Sequence, residues 1–159
     1  MNAECFIDTN VLLYAATADA AERKKQDAAY DLIAADNFGI STQVLQEFFH
    51  NATKKVRKKM RPDKALDWLG EILHRPCVIV DVPLFRHATE ISVRYKITYW
   101  DGAILAATHA LGAKVLYSED LNHGQTYGTV RVENPFRGLY TDGDQNRQPP
   151  DSRAARFTA

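Results

Sequence analysis

Four acidic residues stand where carboxylates do chemistry in an open α/β sheet. Asp8 follows directly on an apolar, strand-like stretch, in Phe6-Ile7-Asp8-Thr9-Asn10. Asp120 lies just after Val115-Leu116-Tyr117, in Ser118-Glu119-Asp120. Asp101 opens an apolar helical stretch that leads into that same strand. The carboxyl ends of parallel strands form the crevice where ligands bind in such sheets. Neighbouring strands lie about 4.8 Å apart, so carboxylates on adjacent strand ends can share one cation. Glu47 is the fourth acid. At 100° per residue, Val44, Leu45, Phe48, Phe49, Ala52 and Val56 cover an arc of about 140°, and Glu47 falls about 60° outside it. That border position lets an acid follow the apolar face toward the sheet and still reach water.

Each acid also has a plain structural reading. Asp8 and Asp101 are competent helix N-caps, Asp120 suits a turn, and Glu47 suits a solvated helix face. Their joint arrangement, not any one of them, points to a site. Glu119 stands beside Asp120, and the sequence alone does not separate the two.

The elements that must position these acids alternate. Strands are expected at 4–7, 38–40, 78–82, 114–117 and 130–132, the third of them β-branched and buried. Helices are expected from about 11, then over 20–35, 42–59, 63–74, 83–95 and 101–111. Pro62 breaks one helix, Pro83 starts another, and Gly112 follows the last as a C-cap. Strands separated by helices of ten or more residues imply a parallel sheet with helices on both faces.

Composition limits what such a sheet serves. The 159 residues carry 20 Lys+Arg against 20 Asp+Glu, so the chain is no bulk polybasic nucleic-acid binder and any polyanion must meet a local patch. The longest apolar run, 11–16, is far short of a membrane span of about 20 residues. Met1-Asn2-Ala3-Glu4 shows no positive charge ahead of an apolar stretch, so no secretory signal is expected, and a cytoplasmic protein is. Cys5 and Cys77 are isolated and are expected as buried thiols. Residues 141–153 hold no apolar residue. A folded domain over 1–140 with a flexible tail over 141–159 is therefore expected.

In this order, the segments Phe6-Ile7-Asp8-Thr9-Asn10-Val11-Leu12, Ser41-Thr42-Gln43-Val44-Leu45-Gln46-Glu47-Phe48, Tyr99-Trp100-Asp101-Gly102-Ala103-Ile104 and Leu116-Tyr117-Ser118-Glu119-Asp120-Leu121 resemble the PIN-domain family, in particular the VapC-type toxin ribonucleases. The closing stretch, His123-Gly124-Gln125 and then Val130-Arg131-Val132-Glu133-Asn134-Pro135-Phe136, fits the same family. The likeness spans about 4–140. It implies a three-layer α/β/α sandwich with a central, mainly parallel twisted sheet. It further implies Mg²⁺- or Mn²⁺-dependent hydrolysis of RNA, a small cognate antitoxin and a homodimer. On that pattern Asp8 and Asp101 hold the metal, Asp120 joins them directly or through water, and Glu47 completes the catalytic set by binding through water or positioning the attacking water. Thr9, Asn10 and Ser118 are the neighbouring or substrate-contacting residues. All-oxygen donors suit Mg²⁺ and Mn²⁺.

A basic run continues from the Glu47 helix. Lys54, Lys55, Arg57, Lys58, Lys59, Arg61 and Lys64 face one acid, Asp63, and the first four are the candidate RNA-backbone contacts. The bland alternative is a solvated helix face. Tyr99 and Trp100 are candidate base-stacking residues, and Tyr14, Phe48, Phe49 and Trp68 candidate interface aromatics. His123 follows Asp120 by three residues and is a candidate substrate contact. The five histidines show no H-E-x-x-H or Cys/His spacing, and no phosphate-binding glycine loop or nucleophile elbow is present. Two rivals remain. One is a non-catalytic RNA-binding scaffold of the same fold. The other is a phosphatase-type domain with Asp8 as nucleophile, although the second acid that would favour it is here Asn10.

Overall fold

The computed structural model describes residues 2–35 and 37–140. The expected tail, 141–159, lies outside the described residues. Six strands, β1 (Cys5–Ile7), β2 (Phe38–Ser41), β3 (Cys77–Val78), β4 (Val115–Tyr117), β5 (Thr126–Tyr127) and β6 (Val130–Glu133), form one sheet in the order β3-β2-β1-β4-β6-β5. Every pairing is parallel except β5 with β6. The helices are α1 (Thr9–Thr17), α2 (Arg23–Ala34), α3 (Thr42–His50), α4 (Pro62–Ile72), α5 (Val82–Tyr95) and α6 (Tyr99–Ala110).

Connections β1 to β2 and β2 to β3 step the same way across the sheet, and β3 to β4 steps back past them. Right-handed crossovers therefore put α1 to α4 on one face and α5 and α6 on the other. The packing agrees: α1 lies against α2 and α3, and α5 against α6. This is the expected α/β/α sandwich. The strand order reverses between β1 and β4, which makes their carboxyl ends the switch point of the sheet. Both strands are covered on both faces and so read as apolar runs. Phe6, Ile7 and Leu116 are fully buried, with Leu12, Leu13 and Leu105 from helices on either side.

Six expectations change. The stretch 78–82 is not a buried strand: β3 is a two-residue edge strand, Ile79 and Val82 are exposed, and Asp81 caps α5 by accepting from the Leu84 N–H. The helix expected over 42–59 ends at His50, followed by a π turn over Asn51–Lys55. There the Thr53 hydroxyl donates to the Phe49 carbonyl and Val56 leaves in extended conformation. Asp101 is not the cap of α6: Thr98 is, its hydroxyl accepting from the Asp101 N–H. β5 has no counterpart in the expected strands, whereas β6 matches the one at 130–132; their hairpin turns through Gly128 at φ 63°. Tyr14 and Phe48 are fully buried, so neither is an interface residue, and Phe48 stacks on Trp68 at 4.8 Å. Of the two cysteines, Cys5 is buried and Cys77 half-buried.

Gly102 explains how closely α5 and α6 approach. A Cβ there would lie 2.6 Å from the Ala88 carbonyl oxygen and 3.2 Å from Ser92 Cβ.

Candidate active site

The first acid is built by the chain reversal after β1. Asp8 caps α1, its Oδ1 accepting from the Thr9 N–H at 2.7 Å. Its Oδ2 accepts from Ser118 Oγ at 2.7 Å and from Asn10 Nδ2 at 3.2 Å. Ser118 follows β4, so this contact joins the two strand ends at the switch point. Asn10 Nδ2 also donates to Asp120 Oδ2 at 3.0 Å, and Ser118 Oγ accepts from the Asp120 N–H at 3.1 Å. Asp8, Thr9, Asn10 and Ser118 are all buried, while Asp120 is at the exposed rim.

Asp120, not Glu119, reaches this network. Glu119 turns the other way: its Oε2 accepts from Lys25 Nζ at 3.2 Å. Lys25 also donates to the Tyr14 hydroxyl at 2.9 Å and lies over the Tyr14 ring. This nearly dry ion pair fixes which acid of the Ser-Glu-Asp turn faces the cavity.

Glu47 enters from α3. Its Oε1 accepts from Gln43 Nε2 at 2.7 Å, and its Oε2 from Thr9 Oγ1 at 3.3 Å. Gln43 Nε2 lies 3.2 Å from the carbonyl of Trp100, which ties α3 to the start of α6. Asp8, Thr9, Asn10, Leu13, Glu47, Asn51 and Asp120 line one cavity of about 210 Å³.

Electrostatics shows that the acids share a field. Burial, then the Asp120 carboxylate, with a smaller push from Glu47, lifts the Asp8 carboxyl from 3.8 to about 8 against the hydrogen bonds from Ser118 and Thr9. Burial also raises Glu47; Gln43 and Thr9 oppose that rise, and Asp120 and Asp101 add to it. Asp101 thus acts on Glu47 from the first turn of α6 but does not line the cavity. Among the described residues no three acids, histidines or cysteines converge closely enough to enclose a metal ion.

Thr9, Asn10 and Ser118 bridge the acids. Gln43, Asn51 and Lys25 join the site although sequence reasoning does not single them out. Gln43 and Asn51 stand four residues either side of Glu47, a spacing that places them on its helix face. Lys25 carries no such signal, because its partner is 94 residues away. His123 is committed elsewhere, its Nδ1 accepting from the Asn134 N–H at 3.0 Å. Tyr99 packs against Phe85 and Trp100, whereas Trp100 is exposed. The basic run divides. Arg57 pairs with Asp19, Arg61 with Asp63 and Lys64 with Asp67. Lys54, Lys55 and Lys58 make no ion pair among the described residues, and the first two follow Asn51 in the π turn at the cavity edge.

A switch-point cavity walled by carboxylates on a mainly parallel sheet defines a class of domain, and a model of the PIN domain matches residues 5–128. The chain belongs to the PIN-domain family. Among solved structures it is similar to VapC20 of Mycobacterium tuberculosis, described as a Sarcin-Ricin loop cleaving toxin, at 22% identity and a TM-score of 0.59 over 73% of this chain and 89% of that one. VapBC2 of Rickettsia felis, bound to a DNA fragment from its promoter, gives 20% and 0.58 over 82% and 97%. DNA-bound VapBC of Salmonella typhimurium gives 17% and 0.56 over 84% and 98%. At these identities the likeness establishes the fold. No curated protein sequence matches the chain. No helix among the described residues is long and apolar enough to cross a membrane.

Proposed function

We propose that this chain is a metal-dependent endoribonuclease and the VapC-type toxin of a toxin–antitoxin pair. The observation that carries the reading is Asp8: a carboxylate at the switch point, raised toward neutrality first by its burial and then by Asp120 and Glu47, which face the same cavity. Like charges about 4 Å apart repel by roughly 4 kcal/mol at an effective dielectric of 20. A scaffold that only binds RNA gains nothing from that repulsion, whereas a cation relieves it.

The donor set fits a hard divalent ion, since every candidate ligand is a carboxylate oxygen. Asp8 and Asp120, on the cavity wall, would hold Mg²⁺ or Mn²⁺ directly, Asp101 would reach it through water from the first turn of α6, and Glu47 would act on water. The bound ion would supply hydroxide from coordinated water and neutralise charge on the phosphate. The rest is work of the chain itself. Ser118, Asn10 and the Thr9 N–H hold Asp8 in one orientation. Gln43 and Thr9 hold both oxygens of Glu47, so it is aimed at the cavity before substrate arrives. Lys54, Lys55 and Lys58, with Arg57, supply the basic ground beside the cavity for the RNA backbone. A small cognate antitoxin, a homodimer and a cytoplasmic setting belong to this reading.

The test is cleavage of total and structured RNA by the purified protein with Mg²⁺, Mn²⁺ or EDTA, beside a folded Asp8→Asn variant. Cleavage that needs metal and vanishes in the variant is expected. Cleavage that persists in EDTA, or in the variant, refutes the assignment.

A further inference from the structure

A second cavity, of about 420 Å³, opens between α5 and α6 and shares no lining residue with the acidic one. Two of its walls are histidines. His87 Nε2 and His109 Nδ1 face each other at 3.4 Å. The remaining nitrogen of His109, Nε2, lies 3.1 Å from the Tyr127 carbonyl oxygen. A carbonyl only accepts, so that nitrogen carries the proton and Nδ1 presents its lone pair. The remaining nitrogen of His87, Nδ1, faces Glu90 Oε2 at 3.7 Å, beyond hydrogen-bond reach, so His87 can carry its proton on either nitrogen. With its proton on Nε2, His87 donates to His109 Nδ1; with it on Nδ1, both lone pairs are open to a cation lying to one side of the line between them.

A tetrahedral ion with metal–nitrogen bonds of about 2.05 Å sets two ligand nitrogens about 3.35 Å apart. The observed separation matches that edge. Metal-binding histidines characteristically donate their other N–H to a carbonyl or a carboxylate. The Tyr127 carbonyl stands in that place for His109.

We propose that His87 and His109 form a two-histidine site for a borderline divalent transition ion such as Zn²⁺, with water in the other positions. Asp81 lines the same cavity. No third histidine, cysteine or carboxylate among the described residues closes the site, so it is open and exchangeable. Imidazole nitrogen selects Zn²⁺, Ni²⁺ or Cu²⁺ over the Mg²⁺ suited to the acidic cavity. His109 is eight residues beyond Asp101 on α6, about 12 Å along the axis, so the two sites load separately. The ion would clip α5 to α6 and, through His109, brace the β5–β6 turn. That turn packs on the ring: a Cβ at Gly128 would lie 3.2 Å from His109 Nε2. The site is independent of the nuclease reading.

The test is calorimetric titration of Zn²⁺ into the full chain in millimolar Mg²⁺, with ¹⁵N imidazole spectra recorded alongside. Wild type and Asp8→Asn are expected to bind one Zn²⁺ alike, with His87 Nε2 and His109 Nδ1 resonances shifting. His87→Ala, half-exposed and outside the core, is expected to lose about tenfold or more in affinity. Unchanged affinity in His87→Ala overturns the proposal. So do imidazole resonances that ignore Zn²⁺, which would mean that a shared proton on His87 fills the gap. Loss of binding in Asp8→Asn alone would place the ion in the acidic cavity and overturn it equally.

Discussion

Replacing Asp8 by Asn should make the metal-free protein more stable at alkaline pH while abolishing the proposed activity. Asp8 holds its proton to about 8 when folded, against an ordinary 3.8. A carboxyl raised on folding contributes stability that is fully present below about pH 4 and is lost as pH rises through 8. Between those limits the folded state binds one more proton than the unfolded chain, a slope of about −1.4 kcal/mol per pH unit. Over the whole window that amounts to on the order of 5 kcal/mol, a large part of the 5–15 kcal/mol typical of a domain. Asn at position 8 removes the charge. It can still accept from the Thr9 N–H and donate to Ser118 Oγ. The donated bond from Asn10 disappears, at a cost of about 1 kcal/mol. At roughly 2–4 °C per kcal/mol for a domain of this size, the variant should melt on the order of 10 °C above wild type at pH 9 in EDTA. The advantage should shrink toward zero, or reverse, at pH 4. Calorimetry from pH 4 to 9 with and without Mg²⁺ reads this directly. Equal pH slopes for wild type and variant in EDTA would refute the claim that Asp8 is buried among like charges.

Three further outcomes follow from named side chains. Lys25→Met strands the Glu119 carboxylate in a dry site and should cost about 3–5 kcal/mol in urea unfolding, much of it recovered in the Lys25→Met/Glu119→Leu double variant. An additive double variant would show that the pair is not coupled. Changing Lys54, Lys55 and Lys58 to Gln together should reduce the slope of log K against log salt for single-stranded RNA by up to about 2, since each phosphate left without its lysine removes about 0.7. An unaltered slope would return the run to a solvated face. Gly102→Ala should lower stability by about 1–3 kcal/mol, because its methyl group meets the Ala88 carbonyl across α5 and α6. Thermal melting no different from wild type would mean that the two helices separate freely.

The order of strands and helices is legible from the sequence because its cause is local. Phe6-Ile7 and Val115-Leu116-Tyr117 are apolar because both faces of a central strand are covered, and Asp8 closes the first as a helix cap. Glu47 is legible as a border residue for the same reason, since helix periodicity fixes its angle to Val44 and Phe48. Other features depend on partners distant in the chain. Only the fold decides that Glu119 turns to Lys25 and leaves Asp120 for the cavity, or that Asn10 bridges Asp8 and Asp120. The shortness of β3 reflects its place at the sheet edge, where one side lacks a neighbour, and no pattern within 78–82 records that. The end of α3 at His50 depends on a π turn that carries Asn51 to the cavity wall. His87 and His109 meet because Gly102 lets two helices close on each other, and a spacing of 22 residues says nothing of it. Periodicity reports which face of an element is buried; which buried polar groups meet there is set by long-range packing alone.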